Sequence, residues 1–190
     1  MMIEYLKKID ESLFLFLNGL HNDTFDFLMH WITKQETWYP FYLLILIWMF
    51  WEYKQKAFIP ILFIILAITI SDQFTSSFMK PFFERLRPCH DPSISHLVHV
   101  VDRCGGQYGF ASSHASNSFA LATLLFHFFR SRFKYPSILF VWAALVAYSR
   151  IYVGVHYPGD IIVGAFVGYL VGLILFGIYL KLPLKYKLTG

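Results

Sequence analysis

Charge is scarce in this chain. Asp, Glu, Lys and Arg together make up 15% of its 190 residues, while 57% are hydrophobic and 20% aromatic. A soluble domain does not keep so much apolar side chain in water with so little charge. Cysteine is almost absent. Cys89 and Cys104 do not form a C-x-x-C pair, which leaves a zinc or dithiol-redox reading without support. The N-terminus lacks a charged stretch, an apolar core and a small-residue cleavage site in that order, so no signal peptide is expected to be removed. Internal repeats and low-complexity segments are also missing. The formal net charge of +4 would suggest nucleic acid as a partner in a soluble protein. Here most basic residues sit beside apolar runs and read as topology signals or site residues, so no nucleic-acid partner is expected.

The hydrophobicity is concentrated in runs. Five are candidates for crossing a bilayer, which takes roughly 20 residues of helix. They are Trp38–Trp51, Ala57–Met79, His114–Phe129, Tyr135–Ser149 and Asp160–Leu180. In lipid each must be helical, because only a helix satisfies its own backbone there. If they alternate, the clusters Lys54/Lys56, Arg130/Arg132/Lys134 and Lys181/Lys185/Lys187 all fall on one side, which the positive-inside rule makes cytoplasmic. The other side then holds the loops Lys80–Ser113 and Arg150–Gly159.

Residues 1–35 are apolar but interrupted by Asn18, His21, Asn22, Asp23 and Asp26. They are expected to form two amphipathic interfacial helices joined near Asn22, or else a sixth span. The expected fold is therefore all-α, a polytopic transmembrane bundle of five or six spans. A transmembrane core would occupy residues 36–190, with loops 80–113 and 150–159 on its outward side.

Polar residues collect on the loop side, each at the end of an expected span: Lys80, Arg87, Ser112, Ser113, His114, Ser149, Arg150, His156 and Asp160. Taken singly, the cations could be interfacial anchors, His114 a helix cap and Asp160 a first-turn carboxylate. Taken together, they are complementary to phosphate. Guanidinium forks bond its oxygens in pairs, an ammonium adds a point charge, and a helix N-terminus offers free N–H groups. One histidine can attack phosphorus while another protonates the leaving oxygen. Asp160, four residues after His156, can hold one ring nitrogen and leave the other bare. The remaining histidines are assigned no chemistry. His96 and His99 are three apart but have no further ligand at suitable spacing, so no metal is expected.

These residues resemble the three-part signature of the type 2 phosphatidic acid phosphatase family, which shares its site with vanadium haloperoxidases. The first part, Lys, six residues and Arg-Pro, is Lys80 to Arg87-Pro88. The third, Ser-Arg, five residues, His, three residues and Asp, is Ser149-Arg150 through His156 to Asp160. The second, usually Pro-Ser-Gly-His, reads Ala111-Ser112-Ser113-His114. The resemblance implies His156 as nucleophile and Asp160 as its orienting carboxylate. It implies His114 as general acid, and Lys80, Arg87, Ser112, Ser113 and Arg150 as phosphate ligands. Arg85 is a further candidate for reaching the substrate. Neither metal nor other cofactor is implied.

The implied partner is a phosphorylated membrane lipid within the bilayer, hydrolysed through a phosphohistidine. The chain looks most like small bacterial members acting on undecaprenyl diphosphate, placed in the cytoplasmic membrane with the site facing outward. Phosphatidylglycerol phosphate, phosphatidic acid and lipid A phosphate are the alternatives. A non-catalytic lipid-binding protein would have lost a nucleophile or an acid, and both are present. Cys89 and Cys104, in the outward loop, are expected to form a disulfide.

Overall fold

The computed structural model describes residues 2–183. Eight α-helices lie among them: α1 (Met2–Asn18), α2 (Asp23–Thr33), α3 (Tyr39–Tyr53), α4 (Phe58–Gln73), α5 (Lys80–Phe83), α6 (Ser113–Phe129), α7 (Ile138–Tyr152) and α8 (Pro158–Leu180). The described residues contain no β-strand, only an isolated antiparallel bridge between Leu86 and Tyr108. All five expected runs are helical, with ends displaced by a few residues. Lys80 does not end its run. A π-helical stretch, Phe74–Met79, carries α4 into α5, and the helix stops only at Glu84, whose φ of 46° cannot continue it. Likewise Ser149-Arg150 lies inside α7, and Asp160 is the third residue of α8 rather than its first.

The helices face outward with apolar side chains. Leu43, Leu44 and Ile47 of α3, Ile65 of α4, and Ile162, Phe166 and Ile174 of α8 are all exposed. That is the surface expected of helices solvated by lipid. The 23 residues of α8 suffice to cross a hydrocarbon core on their own.

Inside, α6 and α8 make the closest helix pair. Gly164, Gly168 and Gly172 recur every four residues along one face of α8, and there the α6 backbone presses against them. A Cβ on Gly164 would overlap the Ser112 carbonyl oxygen, and one on Gly172 would lie 2.7 Å from Thr123 Cβ. Small residues at this spacing let two backbones approach in lipid, where no hydrophobic effect drives helices together. On the other flank α3 stands further off, spaced by aromatic rings. Trp48 meets Phe129 of α6 at 4.5 Å between centroids, and Trp38 meets Trp142 of α7 at 5.5 Å.

Two ends are thereby defined. Glu52 at the end of α3 pairs with Arg132 after α6 at 3.3 Å, so two of the basic clusters share one end. Lys185 and Lys187 lie outside the described residues. The opposite end carries the loops 84–112 and 153–157 together with α1 and α2. The polar residues that interrupt the N-terminal segment are bonded into that end. The Asn18 amide donates to the carbonyls of His99 and Tyr152 at 2.9 and 2.8 Å and accepts from the His99 N–H at 2.8 Å. Asp26 accepts from the Tyr152 hydroxyl at 2.7 Å and meets His99 Nε2 at 3.0 Å. His99, one of the pair weighed for a metal, is thus engaged by a carboxylate of α2.

Candidate active site

The turn after α7 places the histidine expected to be the nucleophile. The chain leaves the helix through Gly154, whose φ of 83° suits glycine, and a Cβ there would meet the His99 carbonyl oxygen at 2.6 Å. The backbone N–H groups of Val155 and His156 both return to the Arg150 carbonyl, at 3.1 and 3.2 Å. His156 is consequently buried, and its Nδ1 lies 3.3 Å from Asp160 Oδ2. That oxygen also accepts the Tyr157 N–H at 3.0 Å, which caps the first turn of α8. A carboxylate at Nδ1 of His156 favours the tautomer with the proton on that nitrogen.

Ser112 caps α6, accepting from the Ala115 N–H, and its own N–H is held by the Asp160 carbonyl at 3.0 Å. The next residue, Ser113, stands where the family signature has glycine. Its hydroxyl is a junction: Lys80 Nζ donates to it at 3.1 Å, and Thr75 and Ser76 lie at 2.9 and 3.1 Å. The π-helical stretch is what turns Thr75, Ser76 and Lys80 together toward α6.

Arg87 is fixed by two loop carbonyls, Tyr108 through Nε at 3.2 Å and Cys104 through Nη1 at 3.1 Å. Cys104 is itself tied to Cys89 by a disulfide with a Cα–Cα distance of 6.2 Å. Arg150 donates through Nη1 to Thr33 of α2, while its Nε is buried with no protein partner among the described residues. An oriented, unspent N–H is what an anion's oxygen needs.

His156 senses this cluster. Burial pushes its basicity well below the ordinary histidine value, and the positive charges of Arg150, Arg87 and Lys80 push it further in the same direction. A bond with the Gly109 backbone works against them. The neutral form of the ring is therefore favoured.

A cavity of about 340 Å³ opens beside the cluster, lined by Thr33, Lys34, Arg103, His114 and Arg150 among others. A second, mostly apolar cavity of about 170 Å³ shares Thr33, Gln35 and His114 with it and is lined by Trp38, Tyr42, Leu121 and Trp142. A polar mouth beside an apolar cavity suits an amphiphile.

The structure thus brings together Lys80, Arg87, Ser113, Arg150, His114, His156 and Asp160, while Ser112 contributes as a cap. Arg85 is the exception. Instead of facing the phosphate cluster it donates to Asp160 Oδ1 at 3.0 Å and to Asp10 Oδ2 at 2.6 Å. Three residues at the site carry no signal in the sequence: Asp10, Thr33 and Gly109. A Cβ on Gly109 would lie 3.1 Å from Asp160 Oδ2 and 3.5 Å from His156 Nδ1. No spacing relates any of the three to the motifs. Asp10 and Thr33 belong to helices whose polar residues also fit an interface.

Comparison with known proteins agrees with this geometry. The profile of the PAP2 superfamily matches residues 60–183. A lipid A 4'-phosphatase of Bacteroides thetaiotaomicron is 40% identical over 100% of this chain and 82% of its own length. The undecaprenyl-diphosphatase BcrC of Bacillus subtilis is 26% identical over 87% of this chain and 81% of its own. Among solved structures, a phosphatidylglycerolphosphate phosphatase of Bacillus subtilis superposes with a TM-score of 0.74 at 21% identity, over 95% of this chain and 89% of its own.

Proposed function

The chain belongs to the PAP2 superfamily and is a membrane lipid phosphatase, and we propose that its substrate is a lipid A-type phosphate monoester, cleaved at the 4' position. The observation that carries this reading is the 40% identity to a lipid A 4'-phosphatase across the whole chain. Undecaprenyl diphosphate, expected first from the sequence, has weaker support at 26% identity. The mouth beside His114 carries charge of both signs, Lys34 and Arg103 beside Glu36 and Asp102, which suits a polar headgroup.

In the proposed mechanism Lys80, Arg87, Arg150 and the start of α6 hold the phosphate oxygens. His156 Nε2 attacks phosphorus, the bond to the lipid oxygen breaks, and His114 donates the proton that the leaving oxygen takes up. Water, giving up a proton to His114, then attacks the phosphohistidine; the P–N bond breaks, which returns both histidines to their starting states and releases phosphate. Asp160 keeps the ring oriented and stabilises its charge in both steps. α1 and α2 would lie in the outer interface, with five helices crossing a bacterial cytoplasmic membrane and the site outside.

The test is phosphate release by the purified protein in detergent from lipid A, undecaprenyl diphosphate, phosphatidylglycerol phosphate and phosphatidic acid, side by side. The expected result is fastest turnover of lipid A, with mass spectrometry locating the loss at the 4' position. Faster turnover of another lipid, or loss from the other phosphate, would overturn the assignment.

A further inference from the structure

Arg85 sits between two carboxylates from opposite ends of the chain. Its Nη1 donates to Asp160 Oδ1 at 3.0 Å and its Nη2 to Asp10 Oδ2 at 2.6 Å. Its guanidinium lies over the Tyr157 ring at 4.0 Å, and Tyr157 is in turn held edge-on by Phe14 of α1 and by a bond to Asp91. The other oxygen of Asp10 accepts the Gly159 N–H at 2.7 Å, inside the first turn of α8. That approach requires glycine, since a Cβ would lie 2.8 Å from Asp10 Oδ2.

Asp160 is fully buried and both of its oxygens are engaged: Oδ1 by Arg85, Oδ2 by Tyr157 N–H and His156. Its carboxylate plane, and with it the direction of the His156 ring, depends on where Arg85 is held. Arg85 is held by Asp10. Both terminal nitrogens are engaged by carboxylates, so this arginine is not placed as a phosphate ligand.

We infer that Asp10 and Arg85 are positioning residues that hold Asp160, and through it His156, in line for attack, so that the N-terminal helix α1 is a working part of the active site. A planar guanidinium bridging two carboxylates fixes orientation in a way that a lysine's single ammonium cannot. An error of about 1 Å in a nucleophile's position costs on the order of 100-fold in rate. The inference rests on His156 being the nucleophile, and it is independent of which lipid is the substrate.

The experiment uses full-length protein in detergent and four variants, Asp10→Asn, Arg85→Ala, Arg85→Lys and the double Asp10→Asn/Arg85→Ala. Steady-state constants are measured together with the single-turnover rate of phosphoenzyme formation from a radiolabelled lipid phosphate. Arg85→Ala is expected to lower kcat and phosphoenzyme formation about 10- to 100-fold while KM changes little. Arg85→Lys should recover part of the loss. Asp10→Asn should give a smaller fall of the same kind, and the double variant should be no slower than Arg85→Ala, because both act through one carboxylate. A raised KM at unchanged kcat would make Arg85 a phosphate ligand and overturn the inference, and so would independent, multiplying effects. If Arg85→Ala does not fold, Asp10→Asn decides alone, and an unchanged kcat rejects the relay. Turnover surviving in His156→Ala would instead reject the reading of the site itself.

Discussion

Gly168 of α8 lies directly against Ser116 of α6, so close that a Cβ on the glycine would overlap the Ser116 carbonyl oxygen. This contact sets the distance between the helix that begins at Ser113-His114 and the one that carries Asp160. Gly168→Ala is expected to cost about 1–3 kcal/mol as the helices part, and Gly168→Leu more. Activity should fall although no side chain at the site is altered. Thermal unfolding in detergent, read beside turnover, checks this, and a stable, fully active Gly168→Leu protein would contradict it.

His156→Ala is expected to abolish phosphate release, since in the proposed mechanism it is the group that forms the phosphoenzyme. His114→Ala should slow release by about 10²- to 10⁴-fold, the usual worth of a positioned acid. Turnover should survive chelators and fall with vanadate, which mimics the transferring phosphoryl group. Activity lost in chelator and restored by a divalent ion would call for a metal mechanism.

The pH profile follows from the burial of His156 and the cations around it. Both depress its basicity, so the neutral, attacking form persists below the ordinary histidine value of about 6.5. Activity is present above the depressed value and lost as pH falls through it. The acid limb of kcat/KM, which reports the free enzyme, should therefore lie below pH 6.5. Arg150→Gln removes one of the cations and should move that limb upward. An acid limb at or above neutrality in the wild-type protein would mean that a different group titrates.

The disulfide joins residues 15 apart and holds the carbonyl that fixes Arg87. Cys104→Ser should lower stability by roughly 3 kcal/mol in the chain-entropy account and raise KM more than it changes kcat. Unfolding with and without reductant measures the first effect. Alkylation of both cysteines in unreduced protein would show that the bond is absent in solution.

The proposed topology has its own check. A cysteine introduced between Arg130 and Lys134 should react in intact cells only with membrane-permeant thiol reagents. One placed in the loop 153–157 should react with impermeant reagents. The reverse pattern would place the site on the cytoplasmic face.

The five helical runs, the end that gathers the site, and the residues of the three motifs were all legible in the sequence. The runs depend on local physics, since lipid demands continuous apolar helix; the motifs were legible because cations, helix N-termini and histidines complement phosphate and because their order resembles a family signature. The conversion of α4 into a π-helical stretch that turns Lys80 toward Ser113 was not legible, because it depends on how one helix meets another. The pairing of Arg85 was not legible for a related reason. Its two partners, Asp10 and Asp160, are 75 residues away on either side. Sequence spacing carries no information about a bridge of that length. Which side chains face phosphate and which face each other was decided only when α1 closed over the start of α8 and the glycine face of α8 let α6 approach.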